Sequence, residues 1–116
     1  MSFWTHVDFR YLYSEDPHAD EFDVERIKPE LDALVKAQGY HLDVATFLAQ
    51  LIATGEGDVK VISFVVIDLL AKLAARFPKV PFAVRGRGEE LRDIWVREYS
   101  GGKETFAFGP PEDLPY

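Results

Sequence analysis

The fold turns on residues 81–109, PFAVRGRGEELRDIWVREYSGGKETFAFG. This stretch reads as an antiparallel meander of three strands. Phe82-Ala83-Val84-Arg85 is a strand, and Gly86-Arg87-Gly88-Glu89-Glu90 is a turn. Residues 91–99 form the second strand, Gly101-Gly102 a tight hairpin turn, and residues 103–108 the third. Glycine adopts the positive φ that a two-residue hairpin needs, so the Gly-Gly pair anchors the reading.

A two-residue loop at Gly101-Gly102 pairs Tyr99 with Glu104, Arg97 with Phe106 and Trp95 with Phe108. Trp95, Arg97, Tyr99, Phe106 and Phe108 then share one face, and Ile94, Val96 and Ala107 the other. Small β-branched residues suit packing against helices, so the aromatic face is expected to be open. In the alternative, Trp95, Phe106 and Phe108 are core, and Ile94 and Val96 face a dimer partner or the tail. Either way a second apolar face needs a cover.

Outward from the meander, residues 3–13 form a first strand. Phe3, Val7, Phe9 and Tyr11 fall on one side, and Trp4, His6, Asp8 and Arg10 on the other. Residues 14–23, SEDPHADEFD, are an acidic loop. Its Asp16, Asp20 and Asp23 lack the spacing and central glycine of a calcium loop, so no metal site is expected. Val24, Ile27, Leu31, Leu34 and Val35 recur at helical spacing, with a start near Pro29 and Gly39 at the end. Asp43 is expected to cap a second helix ending at Gly55, and Asp58 a third over residues 59–77. The β-branched run VKVISFVVI leaves a strand as the alternative there. The Pro-rich tail, residues 110–116, is expected to be extended and docked through Leu114 and Tyr116.

The expected fold class is therefore α+β, one domain over residues 1–116. A single antiparallel sheet in the order β-α-α-α-β-β-β carries its helices on one face. Gly86-Arg87-Gly88-Glu89-Glu90, followed by Asp93, Trp95, Tyr99, Gly102 and Lys103, resembles the YubB-like ferredoxin-like domains borne by phages and plasmids. The resemblance covers the meander, with Phe3-Trp4 a loose match at the N-terminus. It implies a ferredoxin-like fold and a mobile-element origin, but no activity.

Whole-chain numbers narrow the function classes. The chain has 116 residues, 47% hydrophobic and 14% aromatic, enough to build a core. It has no cysteine, which excludes a disulfide framework and a thiolate site and fits a cytoplasmic location. MSFWTHVDFR lacks the basic and apolar regions of a signal peptide. The longest apolar run, residues 61–75, carries Asp68 and Lys72 and is too short to span a bilayer. A net charge of −7 disfavours nucleic acid and anionic membrane and favours either a basic partner or solubility alone. The basic-aromatic signature of an RNA-recognition sheet is absent.

No serine-centred nucleophile elbow occurs, Gly86-x-Gly88 opens no helix, and the adjacent Glu89 and Glu90 point apart in an extended chain. His6 and Asp8 share a strand face about 7 Å apart by strand rise, the one base-and-orienter pair available. The expectation is a non-catalytic binding protein that blocks a protein partner, in the manner of an anti-CRISPR or a toxin-immunity protein, with no cofactor. The candidate partner-binding residues are Trp4, His6, Arg10, Asp93, Trp95, Arg97 and Tyr99, with Glu15, Asp16 and Asp20 of the acidic loop. The alternatives are a homodimeric accessory protein and a small enzyme using His6 and Asp8.

Overall fold

The computed structural model describes residues 4–12 and 20–112. The elements in order are β1 (Thr5–Tyr11), α1 (Lys28–Ala37), α2 (Leu42–Thr54), β2 (Glu56–Val59), α3 (Ser63–Arg76), β3 (Phe82–Arg87), β4 (Ile94–Ser100) and β5 (Lys103–Phe108). The class is α+β, with one five-stranded sheet ordered β2-β1-β3-β4-β5. Every neighbouring pair is antiparallel.

The meander forms as read, with shifted borders. Gly101 and Gly102 take φ of +63° and +78° at the β4–β5 turn. Gly86 belongs to β3 rather than to the turn, because Trp95 stands directly opposite it. A Cβ on Gly86 would come within 2.1 Å of the Trp95 ring, so the missing side chain is the hollow that seats the indole. The turn proper runs over residues 88–93.

The helices close near the residues expected. Pro29 lies in the first turn of α1, and Gly39 follows its end at φ +78°. Gly55 ends α2 at φ +86°. The N-cap of α2 is His41, not Asp43: the His41 ring accepts a hydrogen bond from the Asp43 N–H at 3.2 Å.

Asp58 does not cap a helix either. Residues 56–59 form β2, an edge strand on β1, and α3 begins only at Ser63. Gly57 and Val59 turn inward and Glu56 and Asp58 outward, a period-2 signal too short to stand out beside the apolar run that follows. Gly57 is constrained as well, since a Cβ there would meet the Phe47 ring at 3.0 Å. The order is thus β-α-α-β-α-β-β-β, unlike the expected β-α-α-α-β-β-β and unlike the β-α-β-β-α-β of a ferredoxin-like domain.

One core joins the three helices to one side of the sheet. Leu31, Leu34 and Val35 of α1, Phe47, Leu48 and Leu51 of α2, and Val66, Leu69, Leu70 and Leu73 of α3 pack with Val7, Phe9, Phe82, Val84, Trp95 and Tyr99. Phe22, at the end of the acidic loop, adds its ring against Phe77 and Phe82 at 5.5 and 5.6 Å. All three helices therefore lie on a single side, as the sequence suggested, and among the described residues nothing covers the other face of the sheet.

Candidate functional site: the open face of the sheet

The register decides which side chains reach that face. On β1 and β2 they are His6, Asp8, Arg10, Glu56 and Asp58. On β3 and β4 they are Ala83, Arg85, Arg87, Ile94, Val96 and Glu98. Here the structure corrects the sequence-based pairing. The β4–β5 ladder slips between Glu98 and Tyr99, so Glu98 faces Phe106 and Val96 faces Phe108. Thr105 is the extra residue of this bulge, and its hydroxyl donates to the Glu98 carbonyl at 3.2 Å. One added residue carries Phe106 and Phe108 from the helix side to the open side.

Trp95, Arg97 and Tyr99 go the other way. Trp95 and Tyr99 are fully buried under α3, and the expected open aromatic face is in fact the core face. Arg97 is an internal clamp: its Nη1 donates to the carbonyls of Val96, Phe108 and Gly109 at 2.9, 3.0 and 2.7 Å. Asp93 is buried too, accepting from the Ser63 hydroxyl at 2.9 Å at the start of α3. Asp93, Trp95 and Tyr99 are thus buried within the fold, and Arg97, half-buried, is engaged by those three carbonyls. Trp4, His6 and Arg10 remain candidates: Trp4 and Arg10 are exposed and His6 half-buried. Asp20 is exposed, its N–H held by the Lys79 carbonyl at 2.8 Å. Glu15, Asp16, Leu114 and Tyr116 lie outside the described residues.

The open face has two halves. Over β4 and β5 it is apolar, with Ile94, Phe106 and Phe108 exposed by 47%, 49% and 60% and Val96 half-buried among them. Every residue of β5 is exposed, and its outer edge pairs with no other strand of the sheet. Over β1, β2 and β3 the face is charged. Two adjoining depressions mark it. One, of about 480 Å³, is lined by His6, Asp8, Glu56, Arg85, Gly86, Arg87 and Ile94. The other, of about 420 Å³, lies by Arg10, Ala83, Val96 and Glu98.

His6 organises the charged half. Its Nδ1 lies 2.9 Å from Asp58 Oδ1 and its Nε2 3.3 Å from Asp8 Oδ1. Both contacts are hydrogen bonds only when both nitrogens carry protons, so the two carboxylates favour the imidazolium form. The Asp58 hydrogen bond, aided by Asp8, holds the imidazole above its ordinary value against the opposing effect of partial burial. For Asp8, partial burial pulls upward, but the hydrogen bonds from Arg85 and His6 outweigh it and hold the carboxyl below its ordinary value. The His6–Asp8 pair foreseen from strand parity does form. Asp58 is the partner that was missed, since it lay in the strand read as a helix cap.

A more apolar groove of about 510 Å³ lies elsewhere, between residues 20–30 and 76–80. Its floor is Phe22, Ile27, Phe77 and Val80, and the Arg76–Glu30 ion pair at 2.8 Å joins two of its lining residues. Asp20, Glu21, Asp23, Arg26 and Lys79 also line it, and no group of three potential metal ligands gathers there among the described residues.

No protein-family model matches the chain, and neither a curated protein nor a solved structure does. No helix among the described residues is long and apolar enough to cross a membrane.

Proposed function

We propose that the protein is a non-catalytic binding protein that blocks a protein partner by docking it on the open face of the sheet. One observation carries this reading: Ile94, Val96, Phe106 and Phe108 form a contiguous apolar patch that no helix covers. An exposed apolar patch with a charged rim is the usual mark of a protein contact. Arg10, Arg85 and Arg87 on one flank and Asp8, Glu56 and Asp58 beyond them supply the rim. The net charge of −7 favours a basic partner. The resemblance of the meander to phage- and plasmid-borne domains supports a mobile-element origin and a stoichiometric inhibitor of the anti-CRISPR or toxin-immunity kind.

The homodimer is the second reading. Residues 103–108 form an exposed edge strand, and two such edges related by a two-fold axis would pair and join their phenylalanines.

The test uses the tagged full chain with the product of the neighbouring gene, alongside light scattering. Wild-type chain is expected to retain that product as a complex, and Phe108→Glu to lose it with an unchanged melting curve. A Phe108→Glu chain that still retains it removes the docking face. A wild-type dimer that Phe108→Glu turns into a monomer replaces the first reading with the second.

A further inference from the structure

Beyond the apolar patch, the sheet register sets four ionisable side chains together on β1 and β2. His6 stands opposite Asp58, and Asp8 opposite Glu56. One ligand atom from each of His6, Asp8 and Glu56 lies within 4.8 Å of the other two. We propose that these three side chains bind a divalent transition-metal ion of the zinc type.

The donor set selects the ion class. One imidazole with two carboxylates suits zinc and its neighbours, whereas magnesium and calcium take oxygen ligands. Ligand atoms around a tetrahedral ion with bonds of ~2.1 Å stand about 3.4 Å apart. His6 Nε2 and Asp8 Oδ1 already stand 3.3 Å apart. Glu56 is exposed, so its side chain is free to swing in and close the set.

Supporting contacts are in place around these ligands. Asp58 Oδ1 lies 2.9 Å from Nδ1, which fixes the ring with Nε2 toward Asp8. A carboxylate on the far ring nitrogen is the usual support of a metal-binding histidine and strengthens it as a ligand. Arg85 Nη2 donates to Asp8 Oδ2 at 3.1 Å and leaves Oδ1 for the ion. The three ligands line the solvent-open depression of about 480 Å³, which gives an entry path and room for water ligands. Binding displaces the Nε2 proton to solvent, and the metal takes over that lone pair. The expectation of no metal site rested on the acidic loop, which supplies none of these ligands.

Calorimetric titration of the full chain with zinc chloride tests the site, with thermal melts alongside. Wild-type chain should bind one zinc ion and melt higher with it. Glu56→Gln, which alters an exposed side chain, should abolish that binding without changing the apo melt. His6→Ala should abolish zinc binding too, with a lower apo melt from the loss of its contacts to Asp58 and Asp8. Asp58→Asn should weaken binding about 10- to 100-fold, as loss of an outer-shell partner does. His41→Ala removes another surface imidazole, whose Nδ1 lies 3.2 Å from Asp43, and should leave zinc binding unchanged while lowering the apo melt through loss of the α2 N-cap. No zinc heat up to ~0.1 mM, where tight native-state binding would also raise the melt, overturns the proposal. So does zinc binding that survives Glu56→Gln, one lost equally in His41→Ala, or equal binding of magnesium.

Discussion

Along β4, Trp95 and Tyr99 alternate with Ile94 and Val96, and a single residue step separates full burial from exposure. Both sets are apolar, so hydrophobicity does not choose between the faces. On the inner side Gly86 leaves a hollow for the indole, and α3 covers it. On the outer side nothing in the described chain lies over Ile94, Phe106 and Phe108. A strand side is a core side when another layer has been built to match it, and a candidate contact side when none has. Residues of the first kind should fail by unfolding, and those of the second by losing a partner.

The largest expected effect is on the inner side. Trp95→Ala removes a fully buried indole and should cost about 3–5 kcal/mol in chemical denaturation, a large share of a small domain's stability. A folded Trp95→Ala chain of wild-type stability would break the division between the faces. Gly86→Ala tests the same packing from across the ladder. Its Cβ would sit 2.1 Å from the ring, so overpacking of about 1–3 kcal/mol or more is expected in the same assay.

Arg97→Gln should cost about 1.5–3 kcal/mol, the range for hydrogen bonds to a charged group, by freeing the carbonyls of Phe108 and Gly109. Hydrogen exchange should show the loss concentrated at the end of β5. Phe108→Ser on the outer side should change stability by no more than about 0.5 kcal/mol, as exposed substitutions usually do. A larger loss in its denaturation curve would show that the outer face is packed after all.

The smallest effect at neutral pH belongs to Tyr99→Phe. The Tyr99 hydroxyl is buried with no hydrogen-bond partner among the described residues. Removing it should leave stability unchanged or slightly raised. Burial, with Glu104 adding to it and Arg97 opposing it, raises the Tyr99 phenol above its ordinary value of 10.0. The hydroxyl therefore adds no ionisation penalty below pH 10, and a destabilising one grows as pH climbs above that, where the unfolded chain ionises first. Denaturation midpoints should fall less steeply above pH 10 in Tyr99→Phe than in wild type.

The site was less legible than the fold, and the misses share a cause. The parity of β1 placed His6, Asp8 and Arg10 together correctly, since alternation along one strand needs no knowledge of its neighbours. Asp58 and Glu56 joined them only through β2, whose four residues were masked by the apolar run of α3. Phe106 and Phe108 were assigned to the wrong side because the bulge at Thr105 leaves no mark in the local sequence. Gly86 facing Trp95 was the available clue: a glycine in register with a tryptophan points to a ring laid across the strand.

By itself, the sequence determined the features set by local backbone chemistry. Gly101-Gly102 turned the hairpin, Gly39 and Gly55 ended their helices in the left-handed region, and Pro29 marked the first turn of α1. The α+β class and the single-sided helix layer followed from period and composition. Tertiary structure alone decided that residues 56–59 pair with β1, that the ladder slips at Thr105, and that the open face carries Phe106 and Phe108 rather than Trp95. Those outcomes depend on side chains distant in sequence. On a strand of period two, one residue of slip exchanges core for surface without changing the amino-acid pattern.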